Sequence, residues 1–512
     1  MVARADTAVF AVDSAVSSCR AVLLVIGAAT VLRIALASVG GLGFDESYMA
    51  ANARIFALSY VDAPPLHVWL VGLVSRLFDS HNPVLLRLPF IALFAASSWL
   101  MYRLTTKLFG SRAGLWAVVS FNLAPVFTLA HASWILPDGP LIFFSLATAN
   151  IVTGIVLTDL PPRRATLLWI AAGICAGLAM ISKYHGAFLF LAILTFLITV
   201  PEQRRWLAMP GPWLGAFAAF IIFLPVLVWN LQHGLVGATF QADRLSGSSG
   251  LTLRFLPQSL GGQIAYLTPW AFVILVYGLG RAFWRGPSSP REWLLALLAI
   301  GPIAVFTGAA LFAPGLPHWE MPGWLFAFPL LGAVCVELTD RWPRFMRGGT
   351  TLWAGVLVSM LVILTIQLGT GAIGRAAPGL FSPRDPTLDL IDWTELGPAM
   401  RDRALIDDKT PAVAALYWME AGKANFAIGR DVPVLCLCAD PQQFKYLTPI
   451  AQFIGKDLIL VGTRDILNNN NRMPNTAARF QRIEPLPPVV LHRDSGQPAF
   501  EVWMFRGVGF KG

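Results

Sequence analysis

Long apolar stretches, broken by short polar segments, fill the chain up to about residue 370. Windows of about 17 to 21 apolar residues are long enough to cross the hydrocarbon core of a bilayer as helices. The pattern predicts about eleven transmembrane helices, over residues 21–39, 84–102, 113–131, 139–158, 167–182, 185–200, 212–230, 264–282, 293–312, 323–338 and 350–370.

Polar residues and prolines return after about residue 375, and the apolar runs become short. The runs "PVLCLC", "DLILVG" and "FEVWMF" have the residue types of strands, and "AVAALYWMEAGKA" is predicted to be helical. We therefore expect an all-α polytopic membrane domain over residues 1–374 and a small C-terminal α/β domain over residues 375–512. No internal repeat is evident, which weighs against transporters built from repeated halves.

Composition supports a membrane protein. Of 512 residues, 56% are hydrophobic and only 13% are charged, and the mean hydropathy is +0.63, which is more apolar surface than a soluble domain could bury. The net charge of +9 falls in short clusters between spans, so we expect membrane lipids as partners and no nucleic acid. Five scattered cysteines predict neither a disulfide framework nor a zinc site.

The distribution of positive charge predicts the orientation of the spans, because cytoplasmic loops retain Lys and Arg. With the N-terminus inside, the inner loops carry fifteen Lys and Arg residues and the outer loops carry five up to residue 370. The first twenty residues contain several charges and lack the pattern of a cleavable signal peptide. The first span is therefore expected to be retained as a membrane anchor. This predicts a multi-pass protein of the bacterial inner membrane whose C-terminus, and long loops over 40–83 and 231–263, are periplasmic.

Carboxylates gather in the first outer loop. The segment "GFDESYMAANARIFA" places Asp45 and Glu46 just after the first span, ahead of an apolar periodicity that predicts an interfacial helix. Acids in a first helical turn also favour the helix dipole, so a structural role stays open beside a catalytic one. In "YVDAPPLHVWL", Asp62 and His67 flank a Pro-Pro turn close to the bilayer.

Cations fall in two other outer segments. Lys183, in "ISKYHGAFLF", lies where the fifth span ends, where it could either snorkel or bind a lipid phosphate. The segment "WNLQHGLVGATFQADRLSG" offers His233, Gln241 and Arg244, either as packing residues or as phosphate ligands, for which Arg is well suited.

Two further outer segments contain ionisable residues. His318 and Glu320 in "GLPHWEMPGW" could bind a metal, although two ligands do not make a site. Asp138 in "LPDGPL" is interpreted mainly as the N-cap of the fourth span, with a ligand role as the alternative.

The succession "FDESY", "YVDAPPLHVWL", "LPDGPL", "SKYHG", "WNLQHG…FQADR" and "PHWEMPGW" resembles the bacterial glycosyltransferase family 39/83 proteins over roughly residues 20–335. These are relatives of protein O-mannosyltransferases and of the lipid A aminoarabinose and galacturonic acid transferases. The resemblance implies the GT-C fold, with interfacial helices in the first outer loop, a periplasmic active site and a polyprenyl-phosphate sugar as donor.

The resemblance also implies roles for particular residues. Asp45 matches the catalytic acidic position with Glu46 as its partner, and Lys183 matches a lysine beside the donor phosphate. Asp62 falls where the aminoarabinose branch has a glutamate implicated in metal binding, but Ala63 replaces the lysine that follows it there. A divalent metal, with Asp62 as candidate ligand, is therefore left open, and no other cofactor is expected.

The sequence thus predicts an inverting transferase that moves a sugar from a polyprenyl-phosphate donor to a lipid A, core oligosaccharide or other envelope acceptor. Asp45 and Glu46 are the expected catalytic residues, and the carboxylates and cations are expected to share one extracytoplasmic pocket. The expected phosphate ligands are Lys183, His233 and Arg244, and the expected substrate contacts are Asp62, His67, Asp138, Tyr184, Gln241, His318 and Glu320. The alternatives are a flippase or transporter of lipid-linked sugars, a protein O-glycosyltransferase and a membrane scaffold.

Overall fold

The computed structural model describes residues 2–80, 82–246, 250–381, 385–407, 411–468 and 472–512. In these ranges eight helices are long and apolar enough to cross a membrane, and three bent helix pairs raise the number to eleven if each is one span. The predicted all-α membrane architecture is confirmed. The straight helices are Val16–Ala37, Pro83–Phe109, Asp138–Leu157, Pro162–Ser182, Pro210–Gln232, Pro290–Ala309, Met321–Arg341 and Pro343–Thr370.

Each of the three bends lies at a proline. Proline has no backbone N–H and its ring clashes with the preceding turn, so it opens a new helix more readily than it continues one. The predictions of straight spans over 113–131 and 264–282 are corrected accordingly. The bent pairs are Ser111–Leu123 with Pro125–Ser133 (79°), Tyr184–Thr199 with Pro201–Ala208 (115°) and Leu256–Leu267 with Pro269–Ser288 (103°).

Helices Pro162–Ser182 and Pro210–Gln232 pack with their backbones in contact. A Cβ atom added to Gly173 would lie 1.9 Å from the carbonyl oxygen of Gly215, and one added to Gly215 would lie 2.4 Å from the carbonyl oxygen of Trp169. In a membrane, small residues allow this close approach and so increase van der Waals contact between helices. A larger side chain at either glycine would force the two helices apart.

The chain divides into two compact units, each assembled from separate segments. The helical unit consists of Met1–Ile34, Leu58–His67 and Leu88–Leu357, and the mixed unit consists of Ala35–Ala57, Val68–Arg87 and Val358–Gly512. Asp45 and Glu46 therefore belong to the mixed unit, and Asp62 and Lys183 to the helical unit. The domain boundary predicted after residue 374 stays a prediction.

The helical unit buries an arginine in its aromatic core. The ring of Phe121 packs on Phe94 at 4.7 Å between centroids, and the Arg33 guanidinium lies 4.4 Å from the centroid of Phe94. Arg33 also donates to the side-chain oxygen of Asn122 at 2.9 Å and to the carbonyl of Thr128 at 3.3 Å. These acceptors and the ring face offset the cost of burying the charge within a span.

The mixed unit contains a five-stranded sheet in the described residues, in the order β2-β1-β3-β5-β4. β1 runs parallel to β2 and β3, whereas β5 is antiparallel to β3 and β4. The predicted small α/β domain is thus confirmed. Its strands are β1 (Val413–Ala415), β2 (Val434–Cys436), β3 (Leu458–Thr463), β4 (Arg482–His492) and β5 (Pro498–Val508).

The run predicted to be helical from "AVAALYWMEAGKA" is partly wrong. Its first residues form the fully buried strand β1, and the helix begins only at Trp418, as Trp418–Ile428. A short run of small apolar residues fits a buried strand or a buried helix equally well. Other helices of the described chain include Leu66–Phe78, Val236–Ser246, Leu396–Asp402, Arg464–Asn468 and Arg472–Ala477.

The helix that carries the acidic pair, Phe44–Asn52, is packed tightly in the mixed unit. A Cβ atom added to Gly422, in helix Trp418–Ile428, would lie 2.8 Å from the backbone nitrogen of Tyr48. The Tyr48 ring packs edge-on against Trp418 at 4.9 Å, and its hydroxyl accepts from the Gln443 N–H at 3.1 Å. A helix is therefore present at the position predicted after the first span, and close contacts within the mixed unit fix it. Its interfacial location stays a prediction.

A buried ion pair anchors the start of this helix. Arg87 Nε donates to Glu46 Oε1 at 2.8 Å and Arg87 Nη2 to Glu46 Oε2 at 2.5 Å, and both side chains are at most 3% exposed. Arg87 also donates to the carbonyls of Ala37 and Gly41, at 3.0 and 2.8 Å. Glu46 Oε2 further accepts from the Gly43 N–H at 2.8 Å, so the loop before the helix is held in one conformation.

We expect Glu46→Gln and Arg87→Met each to destabilise the protein by about 3 to 5 kcal/mol, because either change leaves a buried charge without its counter-ion. Chemical unfolding of the protein in detergent measures the loss. The matched control is Arg112→Gln, which breaks the exposed pair Arg112–Asp340 at 2.5 Å and should change stability little. Equal effects in the buried and exposed pairs would contradict the structural role of Arg87 and Glu46.

Candidate functional site

Asp138 lies at the centre of a buried polar cluster in the helical unit. It is the first residue of helix Asp138–Leu157, its side chain is 3% exposed, and its Oδ1 accepts from Lys183 Nζ at 2.9 Å. The N-cap position belongs to Pro137, and no side-chain cap bond is present. The interpretation of Asp138 as an N-cap is therefore wrong, and its carboxylate is instead the partner of the cation.

Lys183 reaches Asp138 because the helix before it ends abruptly. Helix Pro162–Ser182 stops at Ser182, and the Lys183 backbone is extended, with φ −155° and ψ 142°. The next turn folds back closely, because a Cβ atom added to Gly186 would lie 2.5 Å from the Met180 backbone nitrogen. The lysine side chain is 14% exposed, so it is held inside the protein by an ion pair rather than extended along lipid.

Four of the seven histidines surround this pair. His131 Nε2 lies 3.6 Å from Asp138 Oδ1. His67 and His318 interact electrostatically with both Asp138 and Lys183. His185 does so as well, and its Nε2 lies 3.2 Å from the Trp319 carbonyl. We call Asp138, Lys183 and these histidines, His67, His131, His185 and His318, the Asp138 cluster.

Two histidines of the Asp138 cluster, His67 and His318, lie outside the membrane-spanning helices and are neutral because they are buried. Burial lowers the pKa of His67 to about 3, because the raising effect of Asp138 is smaller and Lys183 lowers the pKa further. Burial and the Lys183 charge likewise lower the pKa of His318 to about 3. At neutral pH these two rings can therefore donate or accept hydrogen bonds without adding positive charge.

The segment after helix Pro210–Gln232 places the other predicted cations. His233 stacks on Trp229 at 4.2 Å between ring centroids, and its Nδ1 lies 2.8 Å from the Trp229 carbonyl. Arg244 is exposed, packs over Phe240 at 4.3 Å and interacts electrostatically with His318. Arg244 is thus connected with the Asp138 cluster.

The predicted substrate contacts Asp62, Tyr184 and Gln241 also lie together in the helical unit. Gln241 Nε2 donates to the Asp62 backbone carbonyl at 2.6 Å, and this hydrogen bond holds the loop that contains the Pro-Pro turn. The Asp62 carboxylate interacts electrostatically with Tyr184. No group of three or more His, Cys, Asp or Glu side chains suited to a metal ion occurs in the described residues.

Glu320 belongs to a separate hydrogen-bond network. Its Oε1 accepts from Ser259 Oγ at 2.8 Å and from Gln263 Nε2 at 3.2 Å, and the same amide lies 3.1 Å from Thr307 Oγ1. Burial raises the pKa of Glu320. His318 and Glu320, which were predicted as a pair, therefore belong to different networks. His318 takes part in the Asp138 cluster, and Glu320 accepts hydrogen bonds from hydroxyl and amide groups.

Adjacent carboxylates of the mixed unit differ sharply in environment. Glu46 is buried in its pair with Arg87, whereas Asp45, on the same helical turn, is exposed. Asp45 interacts electrostatically with Tyr417. Of these two residues, Asp45 is therefore the exposed one, and the catalytic roles predicted for Asp45 and Glu46 stay predictions.

Two residues of these arrangements, His131 and Arg87, were not predicted from the sequence. His131 lies within a predicted span, where no motif marked it, and Arg87 lies within the second predicted span, where a charge in an apolar helix was a usable signal. Pairing of Asp138 with Lys183 across 45 residues had no sequence signal.

One segment of the chain is similar to a known protein family. Residues 62–229 match the family model of dolichyl-phosphate-mannose-protein mannosyltransferase. This segment includes Asp62, His67, Asp138 and Lys183, and it ends before His233. A search of curated proteins finds no match to the chain.

The whole fold matches solved structures. ArnT from Cupriavidus metallidurans, bound to undecaprenyl phosphate, aligns with a TM-score of 0.63 and 14% identity, over 95% of this chain and 98% of that chain. Its apo structure aligns with a TM-score of 0.64 and 13% identity over the same shares. Archaeoglobus fulgidus oligosaccharyltransferase AglB, in complex with an inhibitory peptide and a dolichol-phosphate, matches more distantly, with a TM-score of 0.49 and 12% identity over 94% of this chain and 74% of that chain. The motifs predicted both results: residues 62–229 are similar to the mannosyltransferase family, and the chain has the GT-C membrane fold that it shares with ArnT.

Proposed function

We propose that the protein transfers a sugar from a polyprenyl-phosphate donor to an envelope lipid or glycan at the periplasmic face, with inversion. The observation that carries the proposal is the buried Asp138–Lys183 pair, at 2.9 Å, surrounded by histidines. This is an unusual concentration of ionisable groups for a protein so rich in apolar helices. Intramembrane and near-membrane ionisable residues mark substrate pathways and sites by default.

The first step of the proposed reaction is removal of the acceptor's proton. Asp45 is assigned this role because it is the exposed carboxylate of the pair, and Glu46 is assigned the positioning of its helix through Arg87. The acceptor oxygen attacks the anomeric carbon while its proton moves to the Asp45 carboxylate. The bond from the anomeric carbon to the phosphate oxygen breaks in the same step, and that oxygen keeps the electron pair, which leaves polyprenyl phosphate.

The second requirement is stabilisation of the departing phosphate. We assign this to Lys183 and Arg244, assisted by His233, because charge-assisted hydrogen bonds from fixed donors stabilise a developing oxyanion most strongly. Asp138 holds the Lys183 ammonium in place, and the neutral His67 and His318 rings add donors without repelling the cation. The ArnT structure bound to undecaprenyl phosphate supports a polyprenyl phosphate as the lipid part of the donor.

Two observations support the periplasmic placement. Positive charge is concentrated in the loops assigned to the cytoplasm, as counted above. In the mixed unit, Cys436 and Cys438 form a disulfide, and disulfides persist in oxidising compartments such as the bacterial periplasm.

A protein acceptor is the second candidate, because the matching family model describes protein mannosyltransferases. Mass spectrometry of envelope lipids, glycans and proteins from cells with and without the gene separates the two. Loss of a sugar from a lipid or glycan fraction supports the first assignment, and loss from a protein fraction supports the second. Unchanged compositions in all fractions would contradict a transferase.

Replacement of the assigned base should abolish most of the activity. Asp45→Asn removes the proton acceptor, so we expect a loss of transfer of roughly 100- to 10,000-fold in membranes supplied with lipid-linked sugar. The matched control is Asp431→Asn, which alters an exposed carboxylate of the same unit and should retain transfer. Near wild-type transfer by Asp45→Asn would remove the base from the scheme.

The neutral histidines predict a pH dependence of stability. The pKa of His67 is about 3 in the fold and near 6.5 in an unfolded chain, so the unfolded chain binds more protons between these values. Stability should therefore fall as pH drops from 6.5 towards 3, with His67 contributing at most about 1.4 kcal/mol per pH unit. His67→Asn should flatten this slope, measured by unfolding at several pH values. A slope unchanged by His67→Asn would show that this ring is not buried in its neutral form.

A further inference from the structure

One edge of the sheet in the mixed unit collects the segments that follow three strands. β1, β2 and β3 are parallel, so their carboxyl ends meet at the same edge. Tyr417 follows β1, Asp440 follows β2, and Arg464 follows β3. In open sheets with parallel strands, the carboxyl edge is where ligands bind.

Asp45 lies beside this edge. Its helix packs on helix Trp418–Ile428, which follows β1, as the contact between Tyr48 and Gly422 shows. Asp45 interacts electrostatically with Tyr417. The exposed carboxylate to which we assign proton removal is therefore a neighbour of the sheet edge, within one compact unit.

A cavity of about 220 Å³ opens at this edge. Three aromatic residues and three charged residues contribute most of its lining: Phe44, Phe500, Trp503, Arg464, Asp465 and Glu501. Phe44 directly precedes Asp45 in the sequence. The cavity is smaller than the roughly 300 to 1,000 Å³ of sites that enclose drug-sized ligands, so it suits a single ring rather than a chain of rings.

Contacts within the mixed unit hold the lining of the cavity in place. Glu420 Oε1 accepts from the Thr463 N–H at 3.0 Å and from Thr463 Oγ1 at 2.5 Å, which fixes the end of β3. The Arg464 guanidinium lies 5.9 Å from the Trp503 ring centroid. The Trp503 side chain thus lies beside this cation and lines the cavity.

We propose that this cavity binds one sugar ring of the acceptor and presents its hydroxyl to Asp45. Sugar rings combine apolar C–H faces, which pack on aromatic side chains, with hydroxyls that bind carboxylates and guanidinium groups. One guanidinium against two carboxylates gives the charged lining a formal charge of −1, so a neutral or amino sugar is favoured over a phosphorylated one. The acceptor role, though not sugar binding itself, rests on the proposed function.

The binding test uses the full-length protein in nanodiscs, labelled with 5-fluorotryptophan and observed by ¹⁹F NMR. The Trp503 resonance is identified as the one lost in Trp503→Phe. The probes are methyl glucoside, methyl glucosaminide and glucose 1-phosphate. We expect the Trp503 resonance to shift with the first two probes and to respond least to the phosphate. No shift with any probe, or a shift with glucose 1-phosphate alone, would overturn the site.

The kinetic test uses membranes supplied with lipid-linked sugar and an envelope extract from a strain that lacks the gene. Phe500→Ala should raise the KM for acceptor roughly tenfold, and Trp503→Phe, which replaces the indole by a smaller ring, roughly threefold. The KM for donor should not change. The control Arg506→Ala, an exposed residue of β5 outside the lining, should leave both constants unchanged.

The outcomes separate the two proposals. An unchanged KM for acceptor in both Phe500→Ala and Trp503→Phe, with active wild-type protein, would overturn the acceptor site and leave the transferase assignment intact. Absence of transfer by wild-type protein, together with a sugar-dependent shift of Trp503, would overturn the proposed function and support sugar binding alone. Phe500→Leu serves as the second variant if Phe500→Ala does not fold.

Discussion

Burial of a charged side chain among apolar helices costs several kcal/mol unless opposite charges or polar acceptors surround it, and this constraint shapes both units of the protein. Arg33, Arg87 and Asp138 are each at most 2% exposed. Arg33 is held by an amide, a carbonyl and a ring face, Arg87 by Glu46 and two carbonyls, and Asp138 by Lys183. These partners come from distant parts of the sequence. The hydrogen bonds and ion pairs that stabilise the buried charges therefore also determine which segments of the chain pack together.

The same constraint gives neighbouring residues different roles. Glu46 is committed to Arg87 and to the backbone of Gly43, so its carboxylate is occupied in shaping the loop. Asp45 is one residue earlier on the same turn and reaches solvent. The buried Glu46 thus holds the helical turn that carries Asp45, and the role of general base that we propose for Asp45 benefits from a fixed backbone, because a base must be oriented before it can act efficiently.

Sequence patterns predicted much of this fold, since the length and hydropathy of a span are local properties. The eleven predicted spans correspond in order to the eight straight helices and three bent pairs of the described chain. The bends were missed even though prolines mark them, because hydropathy windows do not register backbone geometry. Strand β1 was predicted to be helical because its small apolar residues fit either structure, and pairing with β2 and β3 decided the outcome.

The candidate site was predictable only in part. The motifs identified Asp138, Lys183 and His318, but the ion pair and the histidines around it depend on long-range packing that no local spacing encodes. His131 carried no motif at all. The sequence also did not predict that His318 and Glu320 belong to different networks. The Glu320 partners, Ser259 and Gln263, come from a distant helix.

The most direct test of the account is the affinity of the purified protein in nanodiscs for undecaprenyl phosphate, measured by native mass spectrometry. Lys183→Gln should weaken binding roughly 10- to 100-fold, because it removes a charge-assisted hydrogen bond to the phosphate. Lys107→Gln is the control, since Lys107 is a lysine of the same unit that donates to the Asn150 carbonyl at 2.9 Å, and it should bind as the wild type does. Equal affinities of wild type and Lys183→Gln would contradict the assignment of Lys183, and of the Asp138 cluster, to the donor phosphate.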